Sequence, residues 1–507
     1  MTEERHAGVH ITDEELEQLR PAEELFPSPV PTQIVSNGEY NPLAQTIDQK
    51  RVEAMVKEMA DEHSKRLNMS RRNFLATASG MAVSFAAMNA VYGDVFDVAK
   101  AHTTDIDAAE ERAKELEGQF IFDAQTHFVR DDFKQEGLSG LRQWAIDMGV
   151  NKALGEDGAQ LIKYKFDNYV KEMFFDSDTK AAIISGAVFD DPTWNLLGND
   201  SIQDACKAVN KFAGTTRLMG HSVIEPSKEG WMDEVDRAIE VLKPVSWKTY
   251  TIGDPFGPSQ YSWRLDDEKL VYPFYEKALK AGINTICVHK GLMPLDYEKK
   301  FKGTWESATV NDLGQAAKDW PGLNFVIYHS ALRPYLMHSP EAEMAEFEKS
   351  GYIRWSTDLA RIPEKYDVNN VWAEIGTSFA SSCVTNPRFC AAFIGQLVNE
   401  MGPDRVVWGT DSVWYGSPQW QIEAMRRMEI PEDMMKKMGW NTPLGEANGE
   451  VKRKIFGLNS SQIYKWKMDF GQIDKYETDN LALAKAEYRK TGTMRSNNAY
   501  GYAAMPA

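Results

Sequence analysis

From about residue 118 onward, short apolar runs rich in Val, Ile and aromatic residues alternate with segments whose apolar positions recur every three to four residues. The runs cover residues 120–128, 181–189, 217–224, 244–251, 283–289, 323–329, 370–379 and 405–411. Between them lie amphipathic segments such as 231–242, 272–281 and 390–401. A strand covered on both faces is apolar throughout, so strand–helix repetition of this kind predicts a parallel β/α architecture. Eight units over about 290 residues predict a closed (β/α)8 TIM barrel rather than an open doubly wound sheet. No glycine-rich phosphate loop accompanies them, so a nucleotide-binding fold has no motif. The barrel is assigned to residues 118–465.

The flanks read differently. Residues 1–69 are polar and broken by Pro21, Pro27, Pro29, Pro31 and Pro42, the pattern of an extended arm. Helices are predicted near 13–19, behind Thr12, and over 47–66. An arm of this type reaches across a neighbouring subunit, so a homodimer is an expectation. Residues 466–507 are expected to form a helical tail ending in a Gly, Asn, Ala and Tyr segment.

Between arm and barrel stands SRRNFLATASGMAVSFAAMNAVYG, residues 70–93. Arg71 and Arg72 precede Phe74 and Leu75, a mildly apolar Ala/Gly/Ser/Met stretch follows, and Ala99-Lys100-Ala101 offers small residues for a signal peptidase. Residues 70–101 thus resemble a twin-arginine export signal. That resemblance implies the twin-arginine machinery as a partner and a periplasmic location; the alternative is an ordinary helix in a cytoplasmic protein.

Composition narrows the partners. The 507 residues carry 57 basic against 75 acidic side chains, a formal charge of −18. Such a surface repels phosphate backbones and anionic lipid heads, so nucleic acid is not expected, and no run is apolar enough for a stable membrane span. Cys206, Cys287, Cys383 and Cys390 form no CxxC pair and are expected as buried thiols.

The chemistry falls at strand ends. His127, His289 and His329 sit at or beside the C-terminal ends of the first, fifth and sixth predicted strands, and Asp411 ends the eighth. In a (β/α)8 barrel all strand C-termini open on one rim, where active sites are built. Strict alternation along the first strand puts Asp123, Gln125 and His127 on one inward face. Imidazoles with a carboxylate suit one Zn²⁺, with Mn²⁺ or Fe²⁺ as alternatives. His221, Lys248, Tyr250 and Trp414 are expected to bind a small-molecule substrate, and Trp247 and Trp263 are further candidates for an aromatic wall.

The pieces DAQTH (123–127), VHKG (288–291), YHSA (328–331) and GTDSVW (409–414), closed by IFGLNSSQIY (455–464), resemble the amidohydrolase superfamily, in its amidohydrolase-related branch with aminocarboxymuconate-semialdehyde decarboxylase. The resemblance implies His127, His289 and Asp411 as metal ligands, Asp411 also as the base, and His329 as a catalytic residue that polarises substrate or moves a proton. The first ligand of the His-x-His or Glu-x-His pair is here Gln125, a neutral and weaker donor. Metal-free members of the branch exist. The expected activity is metal-dependent hydrolysis of a carbon–nitrogen, ester or lactone bond. The alternatives are non-oxidative decarboxylation of an aromatic or unsaturated acid, and a non-catalytic barrel.

Overall fold

The computed structural model describes residues 28–32, 45–133, 164–254, 259–293, 297–333, 340–464 and 475–490. The eight apolar runs form eight parallel strands in sequential order: β1 (Phe122–Thr126), β2 (Ala181–Ile184), β3 (Leu218–Val223), β4 (Ser246–Tyr250), β5 (Thr285–His289), β6 (Asn324–Tyr328), β7 (Val371–Glu374) and β8 (Val406–Val407). The ring closes through hydrogen bonds between β1 and the chain around β8. Ala124 N donates to Trp408 O at 2.9 Å, and Asp411 N donates to Gln125 O at 2.9 Å. The expected (β/α)8 barrel is therefore present.

Alternation sorts the strand residues into two layers. Ala182, Ile184, Trp247, Ile286, Val288, Phe325 and Ile327 join the large core between strands and helices. Phe122, Ile183, Met219, Cys287, Val326, Trp372 and Val407 fill the interior, plugged by Ile463 and Tyr464 around the end of helix Asn459–Ile463. Above this floor, Tyr328 OH donates to Ala124 O at 2.7 Å and accepts from His221 Nε2 at 2.7 Å. Nδ1 of His221 then accepts from Ser246 Oγ at 2.7 Å. His221 is thus a neutral, fully engaged member of the interior, its pKa held far down by burial and by the charge of Lys248.

Helix Ile47–Arg66 begins at the residue the pattern indicates, because Thr46 and Gln49 form a reciprocal cap: Gln49 N donates to Thr46 Oγ1 at 3.2 Å and Thr46 N to Gln49 Oε1 at 2.8 Å. It packs against helix Ala78–Tyr92, which lies within residues 70–101. The described part of the arm lies on its own chain, Thr32 Oγ1 donating to Glu53 Oε2 at 3.1 Å. The tail contributes helices Lys475–Thr478 and Asn480–Lys490. The helix expected at 13–19 lies outside the described residues. All four cysteines are buried thiols. Among the described residues no helix is long and apolar enough to cross a membrane.

Candidate active site

His127 follows β1 and is buried. Its Nδ1 faces the carbonyl of Ser185 at 2.9 Å, an atom that only accepts, so Nδ1 carries the hydrogen. Its Nε2 is turned toward Asp411 Oδ1, 2.9 Å away. Two acceptors at that distance need a proton or a cation between them.

Asp411, four residues past β8, has φ 58°, a left-handed conformation, and is fully buried. Its Oδ1 also accepts from Gln125 Nε2 at 3.1 Å, and its Oδ2 from Thr377 Oγ1, which accepts from Tyr415 OH at 3.1 Å. Burial pushes the Asp411 pKa up. Its interactions with His127, then with His329 and the Thr377 hydroxyl, outweigh that and leave it below the ordinary carboxylate value.

The second pair is His289 and His329. His329 Nδ1 faces Gly376 O at 2.9 Å, so Nδ1 is the donor, and its Nε2 accepts from His289 Nδ1 at 3.0 Å. His289 then presents Nε2 as a lone pair. Burial and the charge of Lys248 hold both rings neutral: His289 lies well below its usual pKa and His329 near about 4. His127 contributes to both of these shifts, and Asp411 to that of His329, so the two pairs share one electrostatic neighbourhood.

Tyr250 is the register partner of His289 and stacks on it, centroids 4.6 Å apart. Trp414 lies beside His127 at 6.1 Å and beside Tyr164 at 5.2 Å. The Lys248 ammonium sits 3.9 Å from the Tyr328 ring centroid and 4.6 Å from that of Tyr250. Lys248, Tyr250 and Trp414 are thus near the histidines. His221 is engaged below them, and Trp247 points outward, edge-on to Phe274 at 5.1 Å. Trp263 donates to the Tyr250 carbonyl at 3.0 Å.

Of the inward row of Asp123, Gln125 and His127, the last two both reach Asp411 Oδ1, at 3.1 and 2.9 Å, and Asp123 does not join them. The β1–β2 register shifts between Asp123 and Thr126, and Phe122 and Ala124 occupy the interior. Asp123 instead accepts from Thr410 N at 3.0 Å and from the Thr410 hydroxyl. Gln125 reaches Asp411 with its amide nitrogen. Its buried Oε1 has no hydrogen-bond partner among the described residues and lies on the Gly376 side, so ligation through oxygen requires turning the amide.

Glu374, at the end of β7, is the residue the sequence reading missed. Its Oε2 accepts from His329 N at 3.1 Å and its Oε1 from Gly376 N at 2.5 Å. These bonds brace three successive left-handed residues, His329, Ser330 and Ala331, a turn that costs about 1–2 kcal/mol per residue without support. A side chain at Gly409 would run into Glu374 Oε1. Burial, reinforced by Asp411 and Asp123, lifts Glu374 to about 8; burial also lifts Asp123 to about 7.

Both folded pKa values lie above those of the unfolded chain. The native state therefore holds protons that the unfolded chain has released, and this contribution to stability falls as pH rises from the ordinary carboxylate range to about 8. Thermal melts between pH 5.5 and 8.5 should show a falling midpoint, with a shallower slope in Glu374→Gln. A midpoint that rises with pH across this window would refute the assignment.

For a divalent cation the donors on offer are His127 Nε2, Asp411 Oδ1 and His289 Nε2. Two of these, His127 Nε2 and Asp411 Oδ1, stand 2.9 Å apart, and the buried Nε2 atoms of both histidines have no hydrogen-bond partner among the described residues. Their lone pairs call for positive charge between them, so the residues fit such an ion. Among the described residues no group of three or more His, Cys, Asp and Glu side chains stands close enough together to hold a metal ion as placed.

The family model described as Amidohydrolase matches residues 122–466. Among solved structures, the chain is similar to an uncharacterized TIM-barrel protein from Bordetella bronchiseptica, with 12% identity and TM-score 0.42, covering 68% of this chain and 98% of that one. It is also similar to 5-carboxyvanillate decarboxylase from Sphingomonas paucimobilis, with 14% identity and TM-score 0.40, covering 68% and 99%. A third is 2,6-dihydroxybenzoate decarboxylase from Rhizobium, with 13% identity and TM-score 0.37, covering 69% and 99%. No curated protein matches.

Proposed function

The chain belongs to the amidohydrolase family, and from that premise and the charge of the chamber we propose that it is a carboxy-lyase, releasing CO2 from a small aromatic or unsaturated acid. The observation that carries the reading is Lys248. Its positive charge depresses His289 and His329, which are neutral, while the nearby negative charge of Asp411 is committed to His127, Gln125 and Thr377. An ammonium placed between the Tyr250 and Tyr328 rings attracts the carboxylate of an acid. Tyr250 and Trp414 give flat walls on the His289 and His127 sides.

In the reaction, the bond between the carboxyl carbon and the framework breaks and leaves its electron pair on the framework carbon, which takes a proton. Asp411 relays it: its ionised carboxylate takes a proton along the hydrogen-bonded line from Tyr415 OH through Thr377 Oγ1 that ends on its Oδ2, passes it to the carbon, and Tyr415 recovers one from water. His289 and His329 hold each other in fixed tautomers and orient the substrate carboxylate. When bound at His127, Asp411 and His289, a divalent ion would supply charge to hold the acid.

The second reading is hydrolysis of a carbon–nitrogen, ester or lactone bond. It is favoured by the depressed pKa of Asp411, which suits a base that takes a proton from water. Mn²⁺-reconstituted protein should release CO2 from members of a panel of hydroxybenzoic and unsaturated acids. Lys248→Met should raise KM for those acids about tenfold or more, the worth of one charge-assisted contact. Turnover of esters, amides or lactones with no CO2 from any acid would reverse the order of the two readings.

A further inference from the structure

At the opposite end of the barrel from the histidines, a cavity of about 470 Å³ opens beside the residues that precede β2 and β3, with helix Asn480–Lys490 forming its outer wall. Five cationic side chains line it: Lys114, Lys180, Arg217, Lys485 and Arg489. Their partners are unequal. Arg217 is saturated, gripping both oxygens of Asp479 at 2.7 and 2.9 Å and the carbonyls of Lys180 and Tyr476. Arg489 is paired with Glu117 and lies 3.5 Å from Asp178. Asp178 is itself held by Arg426 at 2.8 Å, and Lys485 stands 4.0 Å from it while donating to the Ser177 carbonyl at 2.5 Å.

Lys180 is different. Only 8% of it is exposed, yet among the described residues its ammonium has no hydrogen bond and no carboxylate within ion-pair distance. Buried lysines are almost always paired. Burial lowers its pKa, and the same cause takes Lys485 down to about 7, with Lys180 and Arg489 adding repulsion. Lys114, Lys180 and Lys485 are answered by Glu477 and by a share of Asp178, which Arg426 and Arg489 also hold. This excess of positive charge stands in a chain of net charge −18, so it is no reflection of the general surface.

We propose that this cavity binds a small oxyanion carrying two or more negative charges, held between Lys180 on the barrel rim and Lys485 on the tail helix. Phosphate and short dicarboxylates share that chemistry. The bound anion would relieve the repulsion between the two ammoniums and fasten helix Asn480–Lys490 to the barrel floor. The site is independent of the reaction proposed above.

The test is isothermal titration of the full chain with inorganic phosphate and, separately, succinate, at constant ionic strength. One anion should bind per chain. Lys180→Met and Lys485→Met should each weaken it about tenfold or more, with thermal melts confirming that both variants fold. Lys207→Met, whose side chain is 76% exposed, should leave it unchanged, and so should His127→Ala, which separates this cavity from the upper site. Binding of only one of the two anions would fix the ligand class and support the proposal. No heat from either anion, an unchanged affinity in Lys180→Met, or loss of binding in His127→Ala would each overturn it.

Discussion

Replacing Asp411 with asparagine will lower kcat by about 10³-fold, within the 10²–10⁴ range of a positioned proton-transfer group, and will reduce the divalent metal retained after dialysis. The carboxylate accepts from Gln125 and Thr377 and faces His127 Nε2 at 2.9 Å. An asparagine keeps the shape but offers one accepting oxygen. Its amide hydrogens then meet one of the former donors, a loss of about 1–3 kcal/mol in a buried site. A fall in activity could follow from that packing conflict alone, so Thr377→Val is the control. It removes one donor and leaves the carboxylate. It should raise the Asp411 pKa, move the acid limb of the pH–rate profile upward and change kcat far less. Metal content is read by elemental analysis and turnover by CO2 release. More than a tenth of wild-type turnover in Asp411→Asn would remove Asp411 from the chemistry under either reading.

The reach of the sequence is clear from particular elements. All eight strands lie inside the predicted runs because each is a short apolar stretch with nowhere to go but a doubly covered sheet. The rim residues follow from that topology: His127 stands against Asp411 and His289 against His329. Three details depend on geometry that periodicity does not encode. The eighth apolar run extends to Asp411, but only Val406–Val407 pair as a strand, since Gly409 must leave room for Glu374 and Asp411 takes a positive φ. The register shift in β1 breaks strict alternation, so Asp123 is bonded to Thr410 rather than joined to Gln125 and His127. Glu374 lies inside a predicted strand, and its one signal is a lone carboxylate among apolar neighbours in NVWAEIG. A buried acid at a strand end is as informative as a histidine there.

A chain starting at residue 102, the product expected from cleavage after Ala101, will not remain a soluble monomer. Arg71 and Arg72 are exposed at the start of helix Arg71–Leu75, open to a receptor, with Arg71 only 3.3 Å from Asp61. The residues after this arginine pair are built into the barrel. Phe85 and Phe96 pack with centroids 4.8 Å apart, and Arg427 lies over the Phe85 ring. Asp97 N donates to Arg427 O and Glu429 N to Val95 O, each at 2.7 Å, so the strip after helix Ala78–Tyr92 is stitched to the chain after helix Gln419–Arg427. Val83, Phe85, Met88, Val95 and Phe96 are all buried. At about 2 kcal/mol for each such side chain the gross loss is on the order of 10 kcal/mol, partly offset by chain entropy, against a typical total stability of about 5–15 kcal/mol. The uncovered face is also a contiguous apolar patch of the kind that drives association. Light scattering after size exclusion, with dye binding to exposed apolar surface, should show aggregates for the truncated chain and none for the full one. If the twin-arginine resemblance of residues 70–101 reflects export, the physical consequence is export without removal of the segment. A truncated chain that stays monomeric and melts with the full-length protein would instead make that helix a dispensable passenger.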